Sequence, residues 1–413
     1  MKIGHIKKKL LIALSGTALA QVIHLLFTPI LTRVYTPKEF GELALLIALS
    51  GISAALATGK YDLAIIVANN NEKEALNNGI KKLSIIVSII LIIFALSSFF
   101  LENEQYTILF LFLSLISFYR GKYLSQRAIL NTYGKYSHMA TGKIIENTSN
   151  GILALLLSFL GLSQVGLMLA KTLSFIIPAY YYESLSKKLL PRNLQDPPSS
   201  VDVFKKYKNF PKYSVLSELL TQLNLGFAIF AFTYLYGKEI AGHISMTTRV
   251  LSLPINFIGL AFLDVFKEKA THDYFKNGNF KSIFLKFFYT LSALGLLGFL
   301  AISLWGEFLF EFVLGEQWKT AGTFATIAIL LYSIRLVSSP LGFAFYLVQK
   351  QKQEMFFKIS ILLFSILSLT YAANINASAI YAMKIYCYCL SLIYLFYISY
   401  AYVISSKRNT KNL

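Results

Sequence analysis

The chain has 413 residues, of which 56% are hydrophobic and only 14% charged, and its 39 Lys and Arg exceed its 20 Asp and Glu to leave a formal charge of +19. A soluble globular protein carries about a quarter charged residues, so this composition excludes one, and it excludes a disordered chain as well. The two cysteines, Cys387 and Cys389, sit in one apolar run, where a helix points them apart; they read as buried and inert, not as a disulfide scaffold. CxxC, HExxH and Cys/His clusters are missing from the sequence, so no metal and no cofactor is expected.

A helix needs about 20 mainly apolar residues to cross the hydrocarbon core. That window predicts twelve spans, at 10–31, 42–68, 83–101, 106–124, 139–160, 164–182, 214–236, 240–262, 283–304, 323–347, 358–373 and 377–403. Lys7, Lys8 and Lys9 followed by Ala18-Leu19-Ala20 mimic a signal peptide, but the apolar run continues to Leu31, so it reads as an uncleaved first helix. With the N-terminus placed in the cytoplasm, the inner segments hold 28 Lys and Arg and the outer loops only Arg33, Lys38, Lys238 and Lys319. The positive-inside bias therefore favours cytoplasmic N- and C-termini. The longest inner segment contains Pro191, Pro197, Pro198, Ser199 and Ser200, then Lys205, Lys206 and Lys208, and has the composition of a linker.

The linker divides the spans into two sets of six. Residues 21–45 match residues 222–246, with Gln21 against Gln222 and, after a one-residue gap, Lys38-Glu39 against Lys238-Glu239. Such a repeat at a central linker predicts two halves in parallel orientation around a cavity. The expected fold is an all-α membrane protein of about twelve transmembrane helices. Its N-terminal lobe is 1–185, its cytoplasmic linker 186–213 and its C-terminal lobe 214–413.

An ionisable group inside hydrocarbon costs about 2.5–3.5 kcal/mol on insertion scales, so it normally faces a partner or a wet cavity. Ten charged residues fall within the spans: Lys60, Asp62, Lys143, Glu146, Lys171, Glu218, Arg249, Lys286, Arg335 and Lys384; His24 is a further titratable group. Lys286 lies near a span end and can snorkel to the surface. Lys60 and Asp62 either face a cavity or mark an early end of the second helix. Lys143 and Glu146, three apart on one helix face, are placed to neutralise each other. Glu218 lies near the inner end of its span, and His24 suits packing as well as proton transfer. Lys171, Arg249, Arg335 and Lys384 have no carboxylate within four residues on the same helix. They read as unpaired cations around an aqueous cavity that attracts an anion, and arginine's planar fork suits phosphate. Pro254 and Pro340 each follow an embedded arginine by five residues and are expected to bend those helices.

Several stretches resemble the polysaccharide flippases of O-antigen and capsule type, within the MATE-like multidrug/oligosaccharidyl-lipid/polysaccharide superfamily. SGTALAQVIHLLFTPILTRVYTPKEFGELAL at 15–45 is similar to the opening of that family, and GKYDLAIIVANNNEKEAL at 59–76 to the segment that follows it. FKKYKNFPKYSVLSELLTQLN at 204–224 resembles the family's entry into its second half, and AGHISMTTRVLSLPINFIGLAFLDVF at 241–266 its arginine-bearing helix. The matches keep order and spacing over residues 10–270; the last third matches in hydropathy alone.

The resemblance implies a MATE-like fold and transport of a polyprenyl-diphosphate-linked oligosaccharide across the cytoplasmic (inner) membrane by alternating access. It places Lys60 and Arg249 in a cationic cavity and Arg33 near the outer mouth, where a structural cap is the other reading. Lys143, Lys171, Arg335 and Lys384 join the cavity as embedded cations. Asp62, Glu146, Glu218 and His24 are the candidate ion-coupling groups. The expected partners are the lipid-linked oligosaccharide, membrane lipids and glycan-assembly machinery. Nucleic acid is excluded by the spans. A MATE-type drug antiporter would want acidic residues in its cavity, whereas the embedded charges run seven basic to three acidic. A membrane glycan polymerase would need a large outer loop, and none is long enough here.

Overall fold

The computed structural model describes residues 3–190 and 199–406, so Pro191, Pro197 and Pro198 of the expected linker lie outside the described residues. It is built of helices, with no strand among the described residues. In chain order they are α1 (Ile3–Val34), α2 (Pro37–Thr58), α3 (Tyr61–Val67), α4 (Asn70–Phe100), α5 (Glu104–Thr132), α6 (Tyr136–Phe159), α7 (Ser163–Ser186) and α8 (Ser200–Lys206). There follow α9 (Leu216–Pro254), α10 (Leu260–Asn277), α11 (Lys281–Leu314), α12 (Lys319–Leu341), α13 (Phe343–Leu347), α14 (Gln351–Asn374) and α15 (Ala379–Ser406).

Every one of the twelve expected spans falls on helix. Nine helical segments among the described residues are long and apolar enough to cross a membrane, and one of these, Phe210–Asn277, contains two of the expected spans. The helix α6 is long enough but interrupted by Lys143, Glu146, Asn147 and Asn150, which lower its hydropathy. Exposure confirms the solvent. Ile89, Ile93, Phe94 and Phe99 on α4, and Leu296, Leu297, Leu300 and Leu304 on α11, all face outward. Only 11% of the apolar window of α4 is buried inside the protein. A patch of that size is unstable in water and suited to lipid.

Local chemistry sets the breaks. Thr36 caps α2, its backbone N–H donating to Glu39 at 2.7 Å, and Pro37 occupies the first helical position. The expected single span at 42–68 is in fact two helices. Gly59 adopts a left-handed conformation at φ 54° and terminates α2, and Lys60 follows at φ 57° before α3 starts. Glycine pays no Cβ penalty there, whereas for lysine the conformation costs about 1–2 kcal/mol. Gly237, at φ 86°, interrupts α9 between the two expected spans. After Pro254 the chain runs through a π-helical turn, Ile255–Gly259, before α10. Pro340 lies at the end of α12, and the expected span at 323–347 divides there into α12 and α13. Both prolines therefore sit at helix distortions, as a residue without an amide hydrogen dictates.

The chain separates into two compact units, Met1–Gly226 and Phe227–Leu413. In the first, α4 packs along α5, α1 along α6, α6 along α7, and α5 against both α2 and α7. Short α8 docks on this unit: Phe204 stacks on Tyr61 with ring centroids 3.8 Å apart, Val203 is buried, and the Ser200 hydroxyl donates to Ala75 O at 3.0 Å. In the second, α11 packs along α12, and α15 against α12 and α14. Its core centres on Phe266, Phe284, Leu291, Leu341 and Phe345.

Candidate functional site

In the first unit the embedded charges converge from five helices. Lys60, held out by the α2–α3 break, reaches Glu218 near the start of α9, with Nζ 3.2 Å from Oε2. The other carboxylate oxygen accepts from Gln222 Nε2 at 2.6 Å. Gln222 packs over Gly51 of α2, where any Cβ would collide with its amide. Asp62, two residues beyond Lys60, is buried, and its Oδ1 has no hydrogen-bond partner.

A second carboxylate organises the far side of the cluster. Glu146 of α6 has a side chain only 4% exposed and is bound by Lys143 at 2.8 Å on one oxygen and by Lys171 of α7 at 3.6 Å on the other. The Lys143–Glu146 pair is the one the three-residue spacing announces. Lys171 was expected to be unpaired, and that reading is corrected: its counter-charge comes from the neighbouring helix. Lys171 also lies over the Phe175 ring, 4.4 Å from the centroid.

Arg120 joins the two sides. The positive-inside count places it with the inner segment 120–138, at the inner end of the expected span 106–124, but α5 continues to Thr132 and carries Arg120 into the bundle. Its Nη1 donates to the Ser50 hydroxyl of α2 at 2.7 Å, and its guanidinium lies over the same Phe175 ring at 5.3 Å. Its electrostatic neighbours include both Glu146 and Glu218. The signal in the sequence was the helical spacing of Leu113, Ser117, Gly121 and Ser125, buried along one continuous face of α5. Four cations (Lys60, Arg120, Lys143, Lys171) thus share three carboxylates (Asp62, Glu146, Glu218) among membrane helices. Such a surplus attracts an anion and holds acceptor oxygens in several directions.

The remaining expected residues lie elsewhere. Arg33 is exposed in the last turn of α1, where a cation also complements the helix dipole. His24 is half-buried on α1, and its backbone carbonyl accepts from the Thr28 hydroxyl at 2.8 Å. Arg249, Arg335 and Lys384 belong to the second unit. Arg249 is half-buried on α9, one turn before the Pro254 distortion. Arg335 of α12 is flanked by the rings of Tyr332 at 5.0 Å and Tyr394 at 5.9 Å. Lys384 is exposed on α15. Cys387 is buried and Cys389 half-buried, and neither forms a disulfide. No group of three or more His, Cys, Asp or Glu among the described residues could hold a metal ion.

The profile of a family described as polysaccharide biosynthesis protein matches residues 30–323. No curated protein matches the sequence. Among solved structures, the lipid II flippase MurJ in an inward closed conformation superposes with a TM-score of 0.72 at 12% identity, covering 97% of this chain and 89% of that one. An inward-facing multidrug resistance MATE family transporter of the MOP superfamily gives a TM-score of 0.67 at 14% identity, over 95% of this chain and 96% of that one. A MOP superfamily transporter from Pyrococcus furiosus, described as having a binding pocket of reverse polarity, gives 0.54 at 14% identity, over 96% and 92%. At these identities the likeness establishes the fold, a MATE-like one, as the sequence resemblance implied.

Proposed function

The chain belongs to the polysaccharide biosynthesis protein family, and from that premise we propose that it is a flippase for a polyprenyl-diphosphate-linked oligosaccharide. The cargo is an O-antigen or capsule repeat unit, carried from the inner to the outer leaflet of the cytoplasmic membrane by alternating access. The observation that carries this reading is the half-buried cluster of Lys60, Arg120, Lys143 and Lys171 with fewer carboxylates than cations. A diphosphate with a polar glycan cannot enter hydrocarbon unaided. A cationic, hydrogen-bonding interior lowers that barrier while the lipid tail stays among the apolar helix faces.

In this reading Lys60, Arg120, Lys143 and Lys171 serve the first lobe, and Arg249, Arg335 and Lys384 the second, with Arg33 at the outer mouth. Asp62, Glu146, Glu218 and His24 are the groups available for ion coupling. Both termini face the cytoplasm, the segment 186–213 joins the lobes on that side, and the basic inner face meets anionic lipid and glycan-assembly partners. A drug antiporter of MATE type is the rival the shared fold supports. Its cationic cargo would be repelled by a site with surplus lysine and arginine.

Deletion of the protein should strand lipid-linked glycan in the inner leaflet. Normal surface polysaccharide in a deletion strain without a redundant transporter overturns the assignment. Lys60→Ala and Arg249→Ala should each abolish flipping in proteoliposomes while the protein still reaches the membrane. Wild-type flipping in both removes the cationic-site argument, and efflux of a cationic drug by the wild type favours the antiporter.

A further inference from the structure

Glu72, Ala75 and Gly79 of α4 are spaced i, i+3, i+7 and so share one helix face, and that face carries the short helix α8. The Ser200 hydroxyl donates to Ala75 O at 3.0 Å, the Tyr207 hydroxyl donates to Glu72 Oε2 at 2.9 Å, and Lys206 pairs with the other Glu72 oxygen. Between these fastenings Phe204 lies over Gly79, where an added Cβ would stand 2.4 Å from the ring. The glycine is what lets the ring seat there.

Phe204 in turn holds Tyr61 twice. The two rings stack with centroids 3.8 Å apart and planes 16° from parallel, and the Tyr61 hydroxyl donates to the Phe204 carbonyl at 3.3 Å. Tyr61 is buried and opens α3 directly after Lys60. Lys60 is therefore constrained from both sides. Gly59 before it is left-handed, its own N–H donates to the Thr58 hydroxyl at 3.1 Å, and the residue after it is fixed to α8. A lysine keeps a left-handed backbone, here φ 57°, only where its surroundings over-determine it. The result is the ion pair from Lys60 to Glu218 at 3.2 Å. Glu218 lies three residues past the π-helical turn Phe210–Val215, which follows α8 and itself packs against α3.

We propose that α8 is a clasp on the transport site, with Phe204 and Tyr61 as positioning residues that hold Lys60 in the backbone state aiming its ammonium at Glu218. Lifting α8 from α4 frees Tyr61, lets Lys60 relax to an ordinary backbone conformation and separates the pair. The helix is too short to cross a membrane, yet it decides whether Lys60 and Glu218 neutralise each other or stand apart with both charges open. The effect on flipping rests on the transport reading above; the positioning of Lys60 does not.

The test is a double-mutant cycle on the full chain, purified in detergent and read by thermal melting, with flipping in proteoliposomes as the second readout. No hydrogen bond or ion pair joins Phe204 to Glu218 among the described residues, so separate structural roles give additive losses in melting temperature for Phe204→Ala and Glu218→Gln. If Phe204 holds the pair, Phe204→Ala should lower the melting temperature of the Glu218→Gln protein by about half, or less, of the shift it causes in the wild type. Gly79→Ala, whose methyl group displaces the ring, should show the same non-additivity, and Phe204→Tyr, which keeps the stack, should melt and flip as the wild type does. Flipping should fall about tenfold or more in Phe204→Ala and in Gly79→Ala, as expected when a positioned group is misplaced. Additive melting losses against Glu218→Gln, for either of these variants that folds, overturn the proposal, and so does wild-type flipping by both. Non-additive melting in a protein that flips no lipid-linked glycan upholds the clasp and overturns the transport reading instead.

Discussion

Glu146 carries the most direct test of the cluster, because it is the most buried carboxylate there and serves two lysines. Glu146→Gln keeps the shape and a hydrogen-bonding oxygen but removes the charge. Lys143 at 2.8 Å and Lys171 at 3.6 Å would then both lose that counter-ion. Removing one partner of a buried pair typically costs about 3–5 kcal/mol. Lys143 retains 33% of its side-chain exposure and can rehydrate, while Lys171 retains 16% and cannot do so as easily. The lower end of the range, about 3 kcal/mol, is therefore expected. For a unit of this size that corresponds to a fall in melting temperature of about 6–12 °C. Thermal unfolding of the purified protein in detergent measures it, and added salt should change the difference little, since a buried pair is weakly screened. Adding Lys171→Gln to Glu146→Gln should recover part of the loss by removing one stranded charge. If Glu146→Gln melts within about 1 °C of wild type, the buried-pair reasoning is wrong.

Three further outcomes follow from other contacts. Arg120→Lys shortens the reach to Ser50 and gives up the planar fork; flipping in proteoliposomes should fall about tenfold or more, with melting affected less than in Glu146→Gln. Phe204→Ala removes the ring stacked on Tyr61 that docks α8. Since Phe204 is half-buried, the cost should be about 2 kcal/mol, below the 3–5 of a fully buried phenylalanine, and proteolysis of the 186–213 segment should accelerate while the spans stay intact. Gly322→Ala places a methyl group 2.6 Å from the Glu307 Cα and 2.8 Å from the Gly306 carbonyl. Because both obstacles are backbone, α11 and α12 must separate, and a loss of about 1–3 kcal/mol in thermal stability is expected.

The span positions were legible because transfer into lipid depends on residue type summed over a window, and a window needs no knowledge of neighbours. The polar interactions were legible only where partners share a helix. Lys143 and Glu146 are three residues apart, so their pairing could be read directly, whereas Lys171 meets the same carboxylate across an interface that no one-dimensional pattern encodes. The break at Gly59 and Lys60 was half legible: charge marked a possible helix end, but the left-handed lysine that aims its ammonium at Glu218 is a backbone state forced by packing. Arg120 shows the sharper difficulty. Positive-inside counting and a cationic transport site draw on the same residue types, and a basic residue near a span end adds equally to either tally. What separates the two is whether protein groups close around the cation. Of the four cations in 120–138, Lys135 and Arg127 carry no ion pair among the described contacts, Lys122 pairs with Glu183 at 2.7 Å, and Arg120 is bound by Ser50, faces Phe175 and lies in the field of two carboxylates. A net charge therefore orients a membrane protein, but only the geometry around each cation tells which of them also work.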